Sequence, residues 1–171
     1  VASFRETLVD DPAAHTLIAE YFAMRAETFP ADLGDYHAAF PIAAAFTPPA
    51  GVFLVVVEEG QDVGCGGIKR VPVPEAAGVP SSPGGGVLRY EIKHLWIQPR
   101  MQGRHLGRAL LTELERRARS FGATEVVLDT NASLVAAGNL YRTSGYDTIA
   151  PYNDNPNATH WYRKSLVGGS R

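Results

Sequence analysis

The chain has 171 residues, a mass of 18.4 kDa and a formal charge of −2. Hydrophobic residues make up 45% and charged residues 20%, a balance that supports one folded domain over residues 1–171 and excludes a disordered tail. The longest aliphatic or aromatic run, Val52 to Val57, is far short of the ~20 residues of a membrane helix, the single cysteine Cys65 excludes a disulfide framework, and the slight negative charge gives no global pull toward nucleic acid.

No basic segment followed by an apolar stretch opens the sequence, so a cytoplasmic protein without a membrane partner is expected. Ser3 to Leu8 reads as a short strand. Asp11 followed by Pro12 is a helix start, with an acceptor side chain before a proline at the first helical position. Leu17, Ile18, Tyr21, Met24 and Arg25 continue that helix at its period. A second helix is expected over Tyr36 to Phe46, interrupted at Pro41. Val52 to Val57 reads as a buried strand, Glu59-Gly60-Gln61-Asp62 as a hairpin turn, and Val63 to Arg70 as the return strand. The prolines and glycines of Val71 to Gly86 exclude helix and central strand. Val87 to Ile97 reads as a long strand.

The next helix is the most strongly patterned. Leu106, Ala109, Leu110, Leu114 and Ala118 form an apolar stripe. Glu113 with Arg117, and Glu115 with Arg119, are spaced by four with the acid first. Gly122 ends it. Thr124 to Thr130 is a further strand, Ser133 to Ser144 a helix closed by Gly145, and Tyr146 to Ala150 and His160 to Leu166 are the last strands. The order β-α-α-β-β-β-α-β-α-β-β implies a mixed α/β (α+β) sandwich.

One turn carries the chemistry. Between the strand ending at Ile97 and the strong helix lies a basic, glycine-containing stretch, with Gly103 and Gly107 permitting close backbone approach. A helix N-terminus offers unpaired N–H groups and a positive dipole end, which suit a phosphate. Arg100, Arg104 and Arg108, spaced by four, are expected to flank that anion. The stretch has neither the Gly-Lys-Ser/Thr ending of a P-loop nor a complete G-x-G-x-x-G.

Ile97-Gln-Pro-Arg-Met-Gln-Gly-Arg-His-Leu-Gly-Arg-Ala-Leu-Leu111 resembles the acyl-CoA-binding motif of the GNAT superfamily of N-acetyltransferases. Gln102, His105 and Gly107 occupy the places of its Arg/Gln, Gly and Gly/Ala. Asn139-Leu-Tyr-Arg-Thr-Ser-Gly-Tyr146 resembles the family segment beside the pantetheine arm. Pro151 to Pro156 and His160 to Lys164 are similar to the ending of one bacterial branch. The resemblance implies the GNAT acyl-CoA N-acyltransferase fold, with a central, mostly antiparallel twisted sheet flanked by helices.

It also implies acetyl transfer from acetyl-CoA to an amine by direct attack, without a metal. The acceptor is a small-molecule or protein amine, and dimerisation is a habit of the family. The implied cofactor-binding residues are Leu95, Trp96, Ile97, Gln102, Gly103 and Arg104, then His105, Leu106, Gly107, Arg108, Asn131 and Tyr141. Tyr141 matches the tyrosine near the CoA sulfur, where a protonated phenol serves the leaving thiolate. Glu91, in the strand before the turn, is the candidate base, directly or through water; the plainer reading pairs it with Arg89 or Lys93. Leu95 and Ile97 are the positions whose backbone serves the thioester. Asn153, Asp154 and His160 are candidates to face the acceptor. Tyr21, Phe22, Phe29 and Tyr36 would cover the acceptor side. Cys65 and His94 read as packed residues. His105, standing where the family has glycine, keeps a second reading open: a non-catalytic acyl-CoA-binding or sensing module.

Overall fold

The computed structural model describes residues 1–73 and 86–168. The expected loop at 71–86 and the end of the chain lie largely outside the described residues. Strands β1 (Ser3–Thr7), β2 (Gly51–Glu58), β3 (Gln61–Val71), β4 (Arg89–Ile97), β5 (Glu125–Thr130), β6 (Asp147–Ile149) and β7 (His160–Ser165) form one sheet. Its order is β1-β2-β3-β4-β5-β7-β6. Every neighbouring pair is antiparallel except β4 and β5. This is the mixed α/β architecture expected from the chain. No described helix is long and apolar enough to cross a membrane.

Helix α1 (Pro12–Thr28) covers one face; α2 (Leu106–Ser120) and α3 (Val135–Arg142) cover the other. β2 shows how alternation builds two cores from one strand. Val52, Leu54 and Val56 face α2, while Phe53 and Val55 face α1. The α1 start follows the sequence reading: the Asp11 Oδ1 atom accepts from the Ala13 N–H at 3.0 Å. The glycines of β3 also find a reason. A Cβ on Gly66 would lie 3.2 Å from both Leu110 and Leu114, and one on Gly67 would lie 2.7 Å from the Phe46 ring. Helix and aromatic core approach this strand from opposite faces because it lacks side chains there.

Three expectations are corrected. The helix over Tyr36 to Phe46 is absent: only short 3-10 turns form, at Ala31–Leu33 and Ala43–Phe46. Pro41 denies an N–H to a helix there, and the backbone of His37 is instead clasped by Asn157, at 3.0 Å and 2.7 Å. In α2, Ala109 is exposed and Leu111 completes the buried stripe. Glu113 pairs with Arg117 at 2.8 Å as expected. Glu115, however, points inward, taking Lys164 at 2.8 Å and the Tyr146 hydroxyl at 3.0 Å in place of Arg119.

The feature that makes room for a ligand is in β4. Gly67 faces Lys93 while Cys65 faces Trp96, so β4 carries one residue more than β3 across this stretch. The extra residue forms a bulge where His94 adopts φ 56°. β4 pairs with β5 only over Arg89–Glu91 against Glu125–Val127. Beyond that point the two parallel strands separate, and a gap opens between the sheet's halves.

Candidate active site

A cleft of about 1090 Å3 runs through this gap and joins the two faces of the sheet. On the α2 side its wall is the turn singled out in the sequence. The Ala109 N–H is the first in α2 to reach an intrahelical acceptor, the His105 carbonyl at 3.0 Å. The amides of Leu106, Gly107 and Arg108 precede it and have no acceptor within the helix. No side chain caps them. Together with the helix dipole they form a site for an anion. His105 adopts φ 61° and ψ 10°, the left-handed conformation that glycine takes most readily. Histidine here therefore keeps the turn geometry that a glycine would supply.

The arginine cluster is a correction. Of its three members only Arg108 lines the cleft, and it is tied to the end of α3, reaching the Thr143 hydroxyl at 2.7 Å and the Ser144 hydroxyl at 3.0 Å. Arg100 turns away to Gln61 and Gln98. Arg104 turns to the Met101 sulfur and, at 4.0 Å, to Glu59. A spacing of four aligns side chains only within a continuous helix, and Arg100 and Arg104 lie before α2 begins.

At the gap itself, the Gln98 N–H donates to the Val63 carbonyl of the β3 side at 2.9 Å. Strand alternation then directs the amides of Leu95 and Ile97 to the opposite edge, into the gap. Leu95, Trp96 and Ile97 all line the cleft. The Gln102 side chain donates to the Ile97 carbonyl at 3.0 Å, fastening the turn to the strand. Gln102, Gly103, His105, Leu106 and Gly107 line the same wall. So does Tyr141, which is 6% exposed and packs against Tyr146 and Tyr162. Burial pushes its phenol upward, with smaller pushes from Tyr21 and Asp129, so the group stays protonated.

Asn131 lies apart from this wall. It is buried, with its amide donating to the Asn157 carbonyl at 3.1 Å and its oxygen accepting from the Ser133 N–H at 3.0 Å. Both of its polar ends are thus used, the amide in holding the 152–159 segment and the oxygen in shaping the turn before α3.

On the α1 side the wall is aromatic and charged. Glu91 is buried but is not among the residues that line the cleft. The Tyr152 hydroxyl donates to it at 2.7 Å, and Lys93 and Lys69 stand 3.6 Å and 3.7 Å away. The Arg89 pairing considered from sequence is absent, because Arg89 binds Glu125 at 2.6 Å. The carboxylate that does reach the cleft is Asp129. Lys93 holds it at 2.9 Å and 3.0 Å, and Asn153 at 2.7 Å. These partners outweigh burial and keep Asp129 below its usual range, while Lys93, despite its own burial, is held above its usual range by Glu91 and Asp129.

The residues expected to face the acceptor are partly replaced. Asn153 serves this charged network, while Asn155, Asn157 and Ala158 line the cleft in place of Asp154 and His160. His94 lines it too, with a buried Nδ1 that lacks a partner among the described residues. Burial, followed by the charges of Lys93 and Lys69, holds its pKa down at about 4. Cys65 is fully buried, and burial pushes its thiol upward; it borders no part of the cleft.

A helix start with free amides facing a split in a mixed sheet agrees with the comparisons with known proteins. The model of the acetyltransferase (GNAT) family matches residues 13–146. The chain belongs to the GNAT family. An uncharacterized N-acetyltransferase of Schizosaccharomyces pombe is 33% identical over 112 residues, 65% of this chain and 61% of that protein. The match thus spans about three fifths of that relative's length. A GNAT-family acetyltransferase from Staphylococcus aureus superposes with a TM-score of 0.73 at 12% identity, covering 97% of this chain and 99% of that one. A GNAT-family acetyltransferase from Elizabethkingia anophelis, solved with acetyl-CoA bound, superposes at 0.61 with 13% identity, covering 96% and 98%. These two likenesses concern the fold.

Neither Lys93 nor Asp129 was singled out from sequence as part of the site. One signal was available: Lys93 shares strand parity with Glu91, so the two must lie on one face. Nothing in the local pattern pointed to Asp129 across the gap.

Proposed function

We propose that this GNAT protein transfers an acetyl group from acetyl-CoA to the nitrogen of an amine acceptor, by direct attack within a ternary complex. The observation that carries this reading is the β4–β5 gap, where free backbone amides from the start of α2 and from the end of β4 meet a buried phenol. The α2 amides of Leu106, Gly107 and Arg108 suit the pyrophosphate of CoA. The Leu95 and Ile97 amides suit the thioester oxygen, where negative charge develops as the nitrogen attacks. Tyr141 donates to the sulfur as it leaves.

The proton balance constrains the rest. The amine must lose a proton to attack. An alkylammonium has a pKa of about 10.4 and an α-ammonium about 8. Asp129 and His94 both sit far below either value, so neither holds that proton at neutral pH. We assign Asp129, held by Lys93, to orient the acceptor's nitrogen, with Glu91 steadying Lys93 from behind; the amine's proton passes directly to water before attack. Glu91 therefore acts as a positioning residue, by holding Lys93 against Asp129. The non-catalytic alternative loses its motive, since His105 already adopts the conformation that a glycine would supply.

A thiol-release assay with acetyl-CoA and a panel of amines tests the reading. Turnover with at least one amine is expected, with an acidic limb that follows the acceptor's own pKa. Tight acetyl-CoA binding with no thiol release from any amine would overturn it in favour of the sensor. An acidic limb unaltered in Glu91→Gln, together with an unaltered rate, removes Glu91 from this network.

A further inference from the structure

Arg25 is a charge with no counter-charge among the described residues. It lies in the last turn of α1, 3% exposed, and it lines the acceptor half of the cleft. Its Nη1 is buried and has no hydrogen-bond partner among the described residues. No carboxylate pairs with it among the described residues. Its near neighbours are rings: the guanidinium carbon stands 5.6 Å from the Phe29 centroid and 5.2 Å from that of Tyr36.

A guanidinium cannot shed its proton at any working pH. Burying one without an anion is costly, and cation–π contacts offset only part of the loss. The flanking phenols do not supply the anion. Burial raises Tyr21 and takes Tyr36 to about 12, against the opposing pull of Arg25 itself, so both stay neutral. Asp129 is the sole carboxylate lining the cleft among the described residues, and Lys93 and Asn153 already engage both of its oxygens. The acceptor half of the cleft therefore holds a preformed, buried cation facing a space walled by Tyr21, Phe22, Tyr36 and Phe40.

We propose that Arg25 binds a carboxylate carried by the acceptor itself, so that the substrate is an amine bearing both an acidic group and a flat apolar body. The inference rests on the acetyl-transfer reading for its amine and on Arg25 for its acid. The two ends of the substrate would lie in one cleft, the carboxylate against α1 and the nitrogen at the β4–β5 gap. The planar fork of arginine matches a carboxylate with two parallel hydrogen bonds, and the aromatic walls exclude the water that would compete for it. An acceptor with an α-amine also suits a site with no strong base, because its nitrogen gives up a proton more readily than an alkylammonium does.

The test uses matched pairs on the full chain: L-phenylalanine with phenethylamine, and L-tryptophan with tryptamine, by thiol release. Wild type should favour the acid-bearing member of each pair by about tenfold or more in kcat/KM. Arg25→Gln should lower kcat/KM for that member on the order of 10- to 100-fold, the worth of a charge-assisted hydrogen bond. The loss should fall in KM, and the decarboxylated member should change by less than about threefold. Arg25→Lys should recover part of the loss. A purely structural arginine would instead lower both members of a pair alike, and that result overturns the proposal.

A second readout needs no turnover. With CoA present, 3-phenylpropanoate should raise the Tm of wild type, its amide should not, and Arg25→Gln should abolish the difference. Equal shifts from acid and amide in wild type overturn the proposal. Absence of thiol release from every amine would count against acetyl transfer alone, and the melting experiment would still decide the acid site.

Discussion

Replacing Tyr141 with phenylalanine removes one oxygen from the cleft wall and leaves the ring in place. The ring packs against Tyr146 and Tyr162 with centroids 5.9 Å apart in each case, so folding stability should change by less than about 1 kcal/mol. What is lost is a donor. Burial holds the phenol protonated throughout the neutral range, whereas the sulfur gains negative charge only as the C–S bond breaks. A hydrogen bond to such a charge contributes about 1.5–3 kcal/mol, and ~1.4 kcal/mol is tenfold in rate. Tyr141→Phe should therefore lower kcat by roughly 10- to 150-fold. Acetyl-CoA affinity should move by less than about threefold, because the ground-state thioester sulfur carries no charge to lose. Thiol release gives the first quantity and titration calorimetry with acetyl-CoA the second. An unchanged kcat refutes the donor role; so does a loss of acetyl-CoA affinity that accounts for the whole fall in kcat/KM.

Three further outcomes follow from packing and charge. A Cβ at Gly64 would stand 2.6 Å from the Trp96 carbonyl oxygen and from Ile97 Cδ1; Gly64→Ala should cost about 1–3 kcal/mol in urea unfolding, and a midpoint equal to wild type would show that β4 yields freely. Lys164→Met leaves the buried Glu115 with only the Tyr146 hydroxyl, and should cost about 2–3 kcal/mol, below the ~3–5 of a fully buried pair because Lys164 keeps some solvent contact. The double variant Glu115→Leu with Lys164→Met should regain most of that loss, and an additive result would argue against the pairing. His94 is neutral in the folded chain down to about 4 but takes up a proton near 6.5 when unfolded. Its contribution is therefore complete above pH 6.5 and is lost as pH falls toward 4, by at most about 3 kcal/mol. His94→Gln should flatten that stretch of a Tm–pH curve; parallel curves for the two proteins would contradict the buried neutral imidazole.

Much of the frame was legible because its causes are local. The Asp11-Pro12 start of α1, the six-residue apolar run in β2 and the i, i+4 pair Glu113–Arg117 each depend on residues close in sequence, and each stands as read. The same holds for the strand–turn–helix around Gln102 to Arg108, whose free amides follow from where a helix begins. Errors arose where direction depended on an uncertain boundary. Arg100 and Arg104 have the spacing of a helix that had not yet started, and Glu115 has the spacing of a surface pair on the buried side of one. The Tyr36–Phe46 segment forms no α-helix, because Pro41 lacks an N–H and Asn157, 120 residues away in sequence from His37, takes the N–H and carbonyl of His37.

By itself, then, the sequence determined the family, the order of most elements and the helix terminus suited to a phosphate, because periodicity and capping act within a turn or two of chain. The tertiary structure decided the active site's second half. An extra residue in β4 shows only against the register of β3, and the gap it accompanies exists only between β4 and β5. Which carboxylate faces that gap, Asp129 rather than Glu91, depends on the placement of Lys93, Tyr152 and Asn153 around both. That Arg25 is a charge without a carboxylate partner among the described residues is likewise a fact about three-dimensional neighbours. A counter-ion is absent or present only when every segment that reaches the site has been brought to it, and no pattern along α1 carries that information.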